Sequence, residues 1–351
     1  MKKVMVTFVF ALIGVVIFKV LSLPLPWMMG PVFTVAIASN IPKITTLKLT
    51  SSIANPAKMI IGVTVGSAFS AFILNDLHHY MFSILLIIPF VLVSSVFGVY
   101  YYNKFVGLDK NSAFFASQPG GFVEMVMLAQ STGANVQKVI LAQSSRLMIM
   151  VVSLPFIIHT FLNIELPKSN SGSLLPSIVD LQLNDGLLMI FCGLFGWWIG
   201  NKVKLSAASL LGPMIISMFF YIFNLINDKP PFEIINIVQL ILGASIGSSF
   251  NGIGFKELAK VLLFGMGHFV GLILLALIFC SISIWITGEQ WLSVLLAFAP
   301  GGQSDMNLIA ILVSANVPFV ALHHTFRMFI IMAILPAIHK SFEKHTKDKE
   351  F

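Results

Sequence analysis

Apolar residues run along this chain in long blocks, and the polar and charged positions gather in the short segments between them. A helix needs about 20 apolar residues to cross a hydrocarbon core. Blocks at 4–22, 27–41, 58–75, 80–102, 138–162, 186–201, 207–226, 234–250, 261–287 and 317–338 meet or approach that length and predict membrane helices. Two more segments, 112–132 and 291–312, are apolar but interrupted by Pro-Gly-Gly.

The pattern occurs twice. SQPGGFVEM at 117–125 returns 181 residues later as FAPGGQSDM at 298–306, and Gly62 and Gly66 return as Gly243 and Gly247. Arg146 returns as Arg327 and Pro155 as Pro336, while Gly14 and the pair Gly30-Pro31 return at offset 182 as Gly196 and Gly212-Pro213. So many matches at nearly fixed spacing indicate an internal duplication. Each unit then holds five spanning helices and one Pro-Gly-Gly segment that either crosses or turns back.

Lysine placement separates the two topologies, because cytoplasmic loops carry the excess of Lys and Arg. With the N-terminus inside and the Pro-Gly-Gly segments re-entrant, sixteen lysines fall in inside segments, and only Lys168 and Lys229 fall outside. If the segments span, the division becomes thirteen against five. Re-entrance is therefore favoured, and five crossings per unit place the two units in opposite orientations, the architecture of many secondary transporters. The expected fold is an all-α integral membrane protein of two inverted-topology repeats, about ten transmembrane helices plus two re-entrant hairpins. The expected organisation is a first repeat at 1–163, a linker at 164–185, a second repeat at 186–340 and a cytoplasmic tail at 341–351.

Composition agrees with lipid as the main solvent: 57% of residues are hydrophobic and 10% charged, against about a quarter charged in soluble domains. The net charge of +7 forms no basic stripe, so nucleic acid is not an expected partner. Cys192 and Cys280 lie in apolar runs without metal or redox spacing. The N-terminal run has the charged start of a signal peptide without its cleavage site and is expected to be the first membrane helix.

Chemistry is expected at the two Pro-Gly-Gly breaks, since backbone freed inside a membrane must be buried in protein or line a wet cavity. Gly120 and Gly121 in one unit and Gly301 and Gly302 in the other allow close backbone approach. Gln118 and Glu124 stand beside the first pair, and Gln303, Ser304 and Asp305 beside the second. The only two arginines, Arg146 and Arg327, occupy equivalent places deep in apolar helices, where a charge must pair or face water. Glu124 and Asp305 are their nearest acidic candidates, and Gln143 and His324 stand one turn away at matching positions. These thirteen residues form the expected substrate site; no metal or cofactor is expected, and the eight histidines make no recognisable ligand cluster.

The paired motifs SQPGGFVEM with QSSRLM and FAPGGQSDM with HHTFRM resemble those of the AbrB-type duplicated membrane protein family, over essentially the whole chain. Members of that family carry the conflicting labels ammonia monooxygenase, transcriptional regulator and transporter. The function expected here is not enzymatic: a secondary, proton- or ion-coupled transporter of a small solute in a bacterial inner membrane, both termini cytoplasmic. The alternatives are a membrane-embedded sensor or regulator and a membrane oxidoreductase. The expected partners are the lipid bilayer and a small-molecule solute of unknown identity; a homo-oligomer is left open. A cysteine placed at Asn170, in the expected linker, should react with an impermeant thiol reagent added outside; labelling from the cytoplasmic side would overturn the inverted arrangement.

Overall fold

The computed structural model describes residues 2–23, 25–41, 44, 51–69, 80–119, 122–162, 175–205 and 207–347. Among them every regular element is helical. The first half contains α1 (Lys2–Val20), α2 (Pro26–Ala38), α3 (Ser51–Gly66), α4 (Tyr80–Val106), α5 (Lys110–Ser117), α6 (Phe122–Ser131) and α7 (Val136–Leu162). The second contains α8 (Leu183–Lys202), α9 (Ala208–Ile222), α10 (Phe232–Ser248), α11 (Phe255–Thr287), α12 (Trp291–Phe298), α13 (Gln303–Leu312) and α14 (Val317–Lys347). Long, short and broken helices follow one another in the same order in both halves.

Five stretches are long and apolar enough to cross a membrane: Lys3–Val20, Tyr80–Val106, Val136–Ile158, Leu183–Lys202 and Phe255–Thr287. The helices Pro26–Ala38, Ala208–Ile222 and Phe232–Ser248 are apolar but shorter. At about 1.5 Å per residue they reach roughly 20–26 Å, less than a full core thickness. The block expected at 58–75 differs most, since its helix begins at Ser51 and ends at Gly66. Lys58, which the lysine count put in an inside segment, is therefore one face of α3. Hydropathy discounts a helix start that carries Pro56 and Lys58, although neither prevents a helix. Of the linker expected at 164–185, residues 164–174 lie outside the described residues, and a helix already begins at Leu183.

Apolar side chains face outward on the long helices. Leu187, Phe191, Leu194 and Trp198 on α8 and Leu263, Val270, Leu274 and Trp285 on α11 are exposed. A soluble protein would bury such a continuous surface, whereas lipid solvates it. Cys192 and Cys280 are buried free thiols.

Packing exchanges helices between the halves. A side chain at Gly62 on α3 would run into the Leu210 carbonyl and Pro213 of α9, and Gly66 opposes Met214 and Ser217 there. Reciprocally, Gly243 on α10 opposes Met28 and Pro31 of α2, and Gly247 opposes Val32 and Ala36. Gly14 meets Gly30 between α1 and α2 as Gly196 meets Gly212 between α8 and α9. Without water to drive association, helices in lipid gain stability from such close backbone approach. The result is one six-helix group of α1–α3 with α8–α10. The remaining helices, α4–α7 with α11–α14, form a second group, joined to the first mainly where α13 and α14 meet α3 and where α7 meets α2 and α10. Asn40 also ties the halves, donating to Phe250 O at 3.0 Å and accepting from Gly254 N at 2.9 Å.

Within the second group α4 and α11 lie antiparallel. Ser83 hydrogen-bonds Ser283, Phe90 packs on Phe279 at 5.4 Å, and Tyr101 donates to Phe264 O at 2.9 Å. The partner number falls as the residue number rises.

Each Pro-Gly-Gly segment folds as a helical hairpin. Ser112, at the start of α5, accepts from Asn135 N at 2.8 Å, just past the end of α6. Ser293, at the start of α12, accepts from Asn316 N at 2.9 Å, just past the end of α13. The two asparagines also cap the next helices, α7 and α14, Asn135 accepting from Lys138 N and Asn316 from Phe319 N, as N-cap residues do. Asp109 caps α5 by accepting from Ser112 N at 2.8 Å. Partial burial alone would raise its carboxyl pKa, but the Ser112 hydrogen bonds outweigh burial and hold it below the ordinary value.

Replacing Gly62 by Leu should separate α3 from α9. Overpacking of about 2 kcal/mol or more is expected, read as a lower midpoint of thermal unfolding in detergent; an unchanged midpoint would contradict the close crossing.

Candidate functional site

A helix that stops inside a membrane leaves its last carbonyls without partners and carries a partial negative charge there. Both hairpins meet that problem at the tip, where α5 and α12 end before the break. The answer comes from 28 residues downstream on α7 and α14. Gln143 Nε2 donates to Phe115 O at 2.7 Å and to Gln118 O at 3.1 Å, and Arg146 Nη1 donates to Gln118 O. In the other half His324 Nε2 donates to Leu296 O at 2.9 Å and Arg327 Nη1 to Ala299 O at 2.7 Å. Arg327 Nη2 reaches Gly301 O at 3.0 Å and also donates to His324 Nδ1. His324 is therefore neutral, with its proton on Nε2.

Both guanidinium groups are enclosed, Arg146 being 0% and Arg327 2% exposed. The Asp305–Arg327 ion pair expected from the sequence is not formed. Arg327 spends its terminal nitrogens on the end of α12, while Asp305 lies in the third position of α13 with its carboxylate folded back beside Gly302. An acid there complements the positive end of a helix, so arginine and acid serve opposite ends of one break. The Gly120–Gly121 turn and the Glu124 side chain lie outside the described residues.

The two halves converge at this level. Leu147, next to Arg146 on α7, lies 3.3 Å from where a side chain at Gly302 would begin. The helix that carries Asp305, α13, packs against α3, which carries Lys58. Gln118 is buried, its Oε1 accepting from Ser95 at 2.8 Å. Gln303 donates to Thr325 Oγ1 at 2.8 Å, and Ser304 is half-buried on α13.

Buried side-chain polar atoms without a partner concentrate here. They include Gln143 Oε1, Ser144 Oγ, Gln303 Oε1, both polar atoms of Asn307, Arg327 Nε and, nearby, His268 Nε2; among the described residues only Trp27 Nε1 and Asn251 Oδ1 lie elsewhere. Native structures rarely bury such atoms unpaired, so each one calls for a water, an ion or a ligand.

Asn307, Thr325, Lys58 and His268 were not among the residues expected from sequence. The duplication held the signal for one of them, since Asn307 is polar where the first half has Val126. For His268, whose Nδ1 meets Tyr102 OH at 3.3 Å, nothing in a continuous apolar helix pointed to its role. His323 donates from Nδ1 to Phe319 O at 2.8 Å, so its Nε2 accepts from Ser83 at 2.8 Å.

Gln143 and His324 do the same work with different side chains, which makes exchange testable. His324→Gln should keep stability within about 1 kcal/mol, while His324→Leu, which orphans the Leu296 carbonyl, should cost about 2 kcal/mol. Thermal unfolding compares them, and equal losses would contradict the shared role.

Comparison with known proteins matches residues 27–343 to the family described as "Transition state regulatory protein AbrB". A Bacillus subtilis (strain 168) protein named "Uncharacterized protein YhjN" is 26% identical over 294 residues, covering 81% of this chain and 77% of that protein. An Escherichia coli (strain K12) protein named "Putative regulator AbrB" is 24% identical over 325 residues, covering 92% of this chain and 91% of that protein.

Proposed function

The chain belongs to the AbrB family, and on that premise we propose that it is a secondary transporter of a small solute bound between the two hairpin tips. The observation that carries this is the cluster of unpartnered buried polar atoms beside Arg327, where the two halves converge. A purely structural core would satisfy or replace such atoms, because each costs about 1–3 kcal/mol.

The proposed topology is two inverted repeats with ten crossings and two re-entrant hairpins, in a bacterial inner membrane with both termini cytoplasmic. Two features support it. The equivalent helices α4 and α11 run antiparallel, as inversion requires and a parallel repeat forbids. Each hairpin also brings its entry and exit together, through Ser112 with Asn135 and Ser293 with Asn316.

Alternating access would come from relative motion of the two helix groups about the tips, the usual logic of such repeats. Proton or ion coupling would pass through Asp305 and Glu124, whose charges the solute and the arginines share. The chain moves its solute without changing it and carries no cofactor in this scheme.

Counterflow in proteoliposomes tests the site. Glu124→Gln and Arg146→Lys should each reduce flux by roughly tenfold or more, the loss expected of one buried charged hydrogen bond. Wild-type flux in both would sink the assignment. The name of the Escherichia coli relative favours a second reading, a membrane-embedded regulator; solute binding without counterflow would select it.

A further inference from the structure

We propose that His268, on α11, is a proton-binding residue through which acid releases the end of α5 at the first hairpin. The proposal rests on the transport reading above, in which the hairpins move, and deepens it by naming the proton as a coupling ion and a group that carries it.

The first observation is a ring nitrogen with nothing to bond. Among the described side chains, three histidines are fully buried. His323 and His324 engage both ring nitrogens. His268 engages one: Nδ1 meets Tyr102 Oη at 3.3 Å, while Nε2 is buried without a partner. Packing does not demand a histidine there, because the equivalent residue 181 positions earlier is Ile87, which is just as buried.

The second observation is what encloses that nitrogen. The rings of Phe97, Tyr101 and Tyr102 lie 6.0, 5.7 and 4.7 Å from the imidazole. A side chain at Gly98 would begin 2.9 Å from His268 Nε2 and 2.5 Å from Ser117 Cβ, so the ring nitrogen and the last residue of α5 close on one point of α4. Tyr102 also opens a π-helical turn, Tyr102–Val106, a local widening that is frequent at functional sites.

With Nδ1–H donating to Tyr102 Oη, Nε2 keeps a free lone pair. An imidazolium held in this arrangement would carry a second N–H without an acceptor, so the enclosed ring is neutral. The titratable groups facing it are Tyr101 and Tyr102 from α4 and Arg146 from α7, a fixed cation whose Nη1 donates to Gln118 O beside Ser117. Helix α12 carries no titratable residue, α5 carries only Lys110 at its opposite end, and Lys260 on α11 itself is about two turns away. Withdrawal of Ser117 with α5 admits water, from which Nε2 takes one proton; the return of α5 gives that proton back to water. Because the proton binds only the withdrawn arrangement, acid shifts the population toward it.

A cysteine introduced as Ala116→Cys, at a buried position in the last turn of α5, reports the motion in the full-length protein in proteoliposomes, with Cys192→Ala and Cys280→Ala as background. Its rate with N-ethylmaleimide is taken relative to the same cysteine in denatured protein at each pH, which removes the effect of thiolate fraction. That relative rate should rise several-fold as the pH falls, and by no more than about tenfold per unit, the limit for one linked proton. His268→Ile should abolish the rise. The same variant should melt no lower than wild type, because an unpaired buried polar ring gives way to the residue that the equivalent place already holds. The ¹⁵N shifts of histidine-labelled protein read the ring without touching it: one imidazole should become imidazolium over the pH interval in which the cysteine opens. A relative rate that ignores pH, or that rises equally in His268→Ile, would overturn the proposal, as would rings that all stay neutral while the cysteine opens. Counterflow is read alongside with a radiolabelled small-molecule extract of bacterial cytosol. Counterflow with pH-independent opening would leave the transport reading in place without His268, whereas pH-dependent opening without counterflow would keep the proton switch and select the regulator.

Discussion

The end of a helix inside a membrane is the constraint on which this architecture turns. Carbonyl groups that stop bonding within the helix cannot turn to water, and each one left unpaired in hydrocarbon costs several kcal/mol. Here the two ends at the hairpin tips are closed by the long side chains of Arg146 and Arg327, with Gln143 and His324 one turn before them. Arginine fits because its charge is permanent and its donors diverge from one plane. The burial of two guanidinium groups is tolerated because the helix ends they cap are partly negative. Without those caps the breaks would not persist, and without the breaks there would be no enclosed polar centre.

Much of this was legible in the sequence, for identifiable reasons. Membrane helices announce themselves through composition, and an offset of 181 residues brings Arg146 onto Arg327 and one PGG onto the other. That buried polar side chains would gather at those breaks followed from the cost of freed backbone. The partners of Arg327 did not follow. Opposite charges at similar depth suggested ion pairs, but a sequence does not display carbonyl groups, which every residue carries. Asp305 and Arg327 consequently looked like each other's counterions, whereas they stand at the two ends of one break. Helix α3 was misjudged for a related reason: hydropathy treats Lys58 as a loop residue, although it is half-buried within a helix.

The exchange of α3 and α10 between the halves adds a second constraint. Gly62 and Gly66 sit on α9, Gly243 and Gly247 on α2, so neither half completes its own framework. The polar centre belongs to the other helix group, yet α13 leans on α3 and α7 on α2 and α10. Asp305 on α13 and Lys58 on α3 stand on opposite sides of that boundary.

The two hairpins are alike in backbone and unlike in side chains. In sequence the first unit has Phe122, Val123 and Val126 where the second has Gln303, Ser304 and Asn307. A duplicated unit keeps what its fold requires, which explains the arginine, the mouth asparagines and the glycines in both copies. What differs is free to serve one purpose only. Apolar residues at three of these places need no partner, whereas polar ones enclosed at two of them, Gln303 and Asn307, hold atoms that the protein leaves unsatisfied. Each such atom costs stability unless a water, an ion or a ligand completes it. The unsatisfied atoms thus lie on the second hairpin's outgoing helix, while Gln143 and Arg146 donate to the carbonyls at the tip of the first.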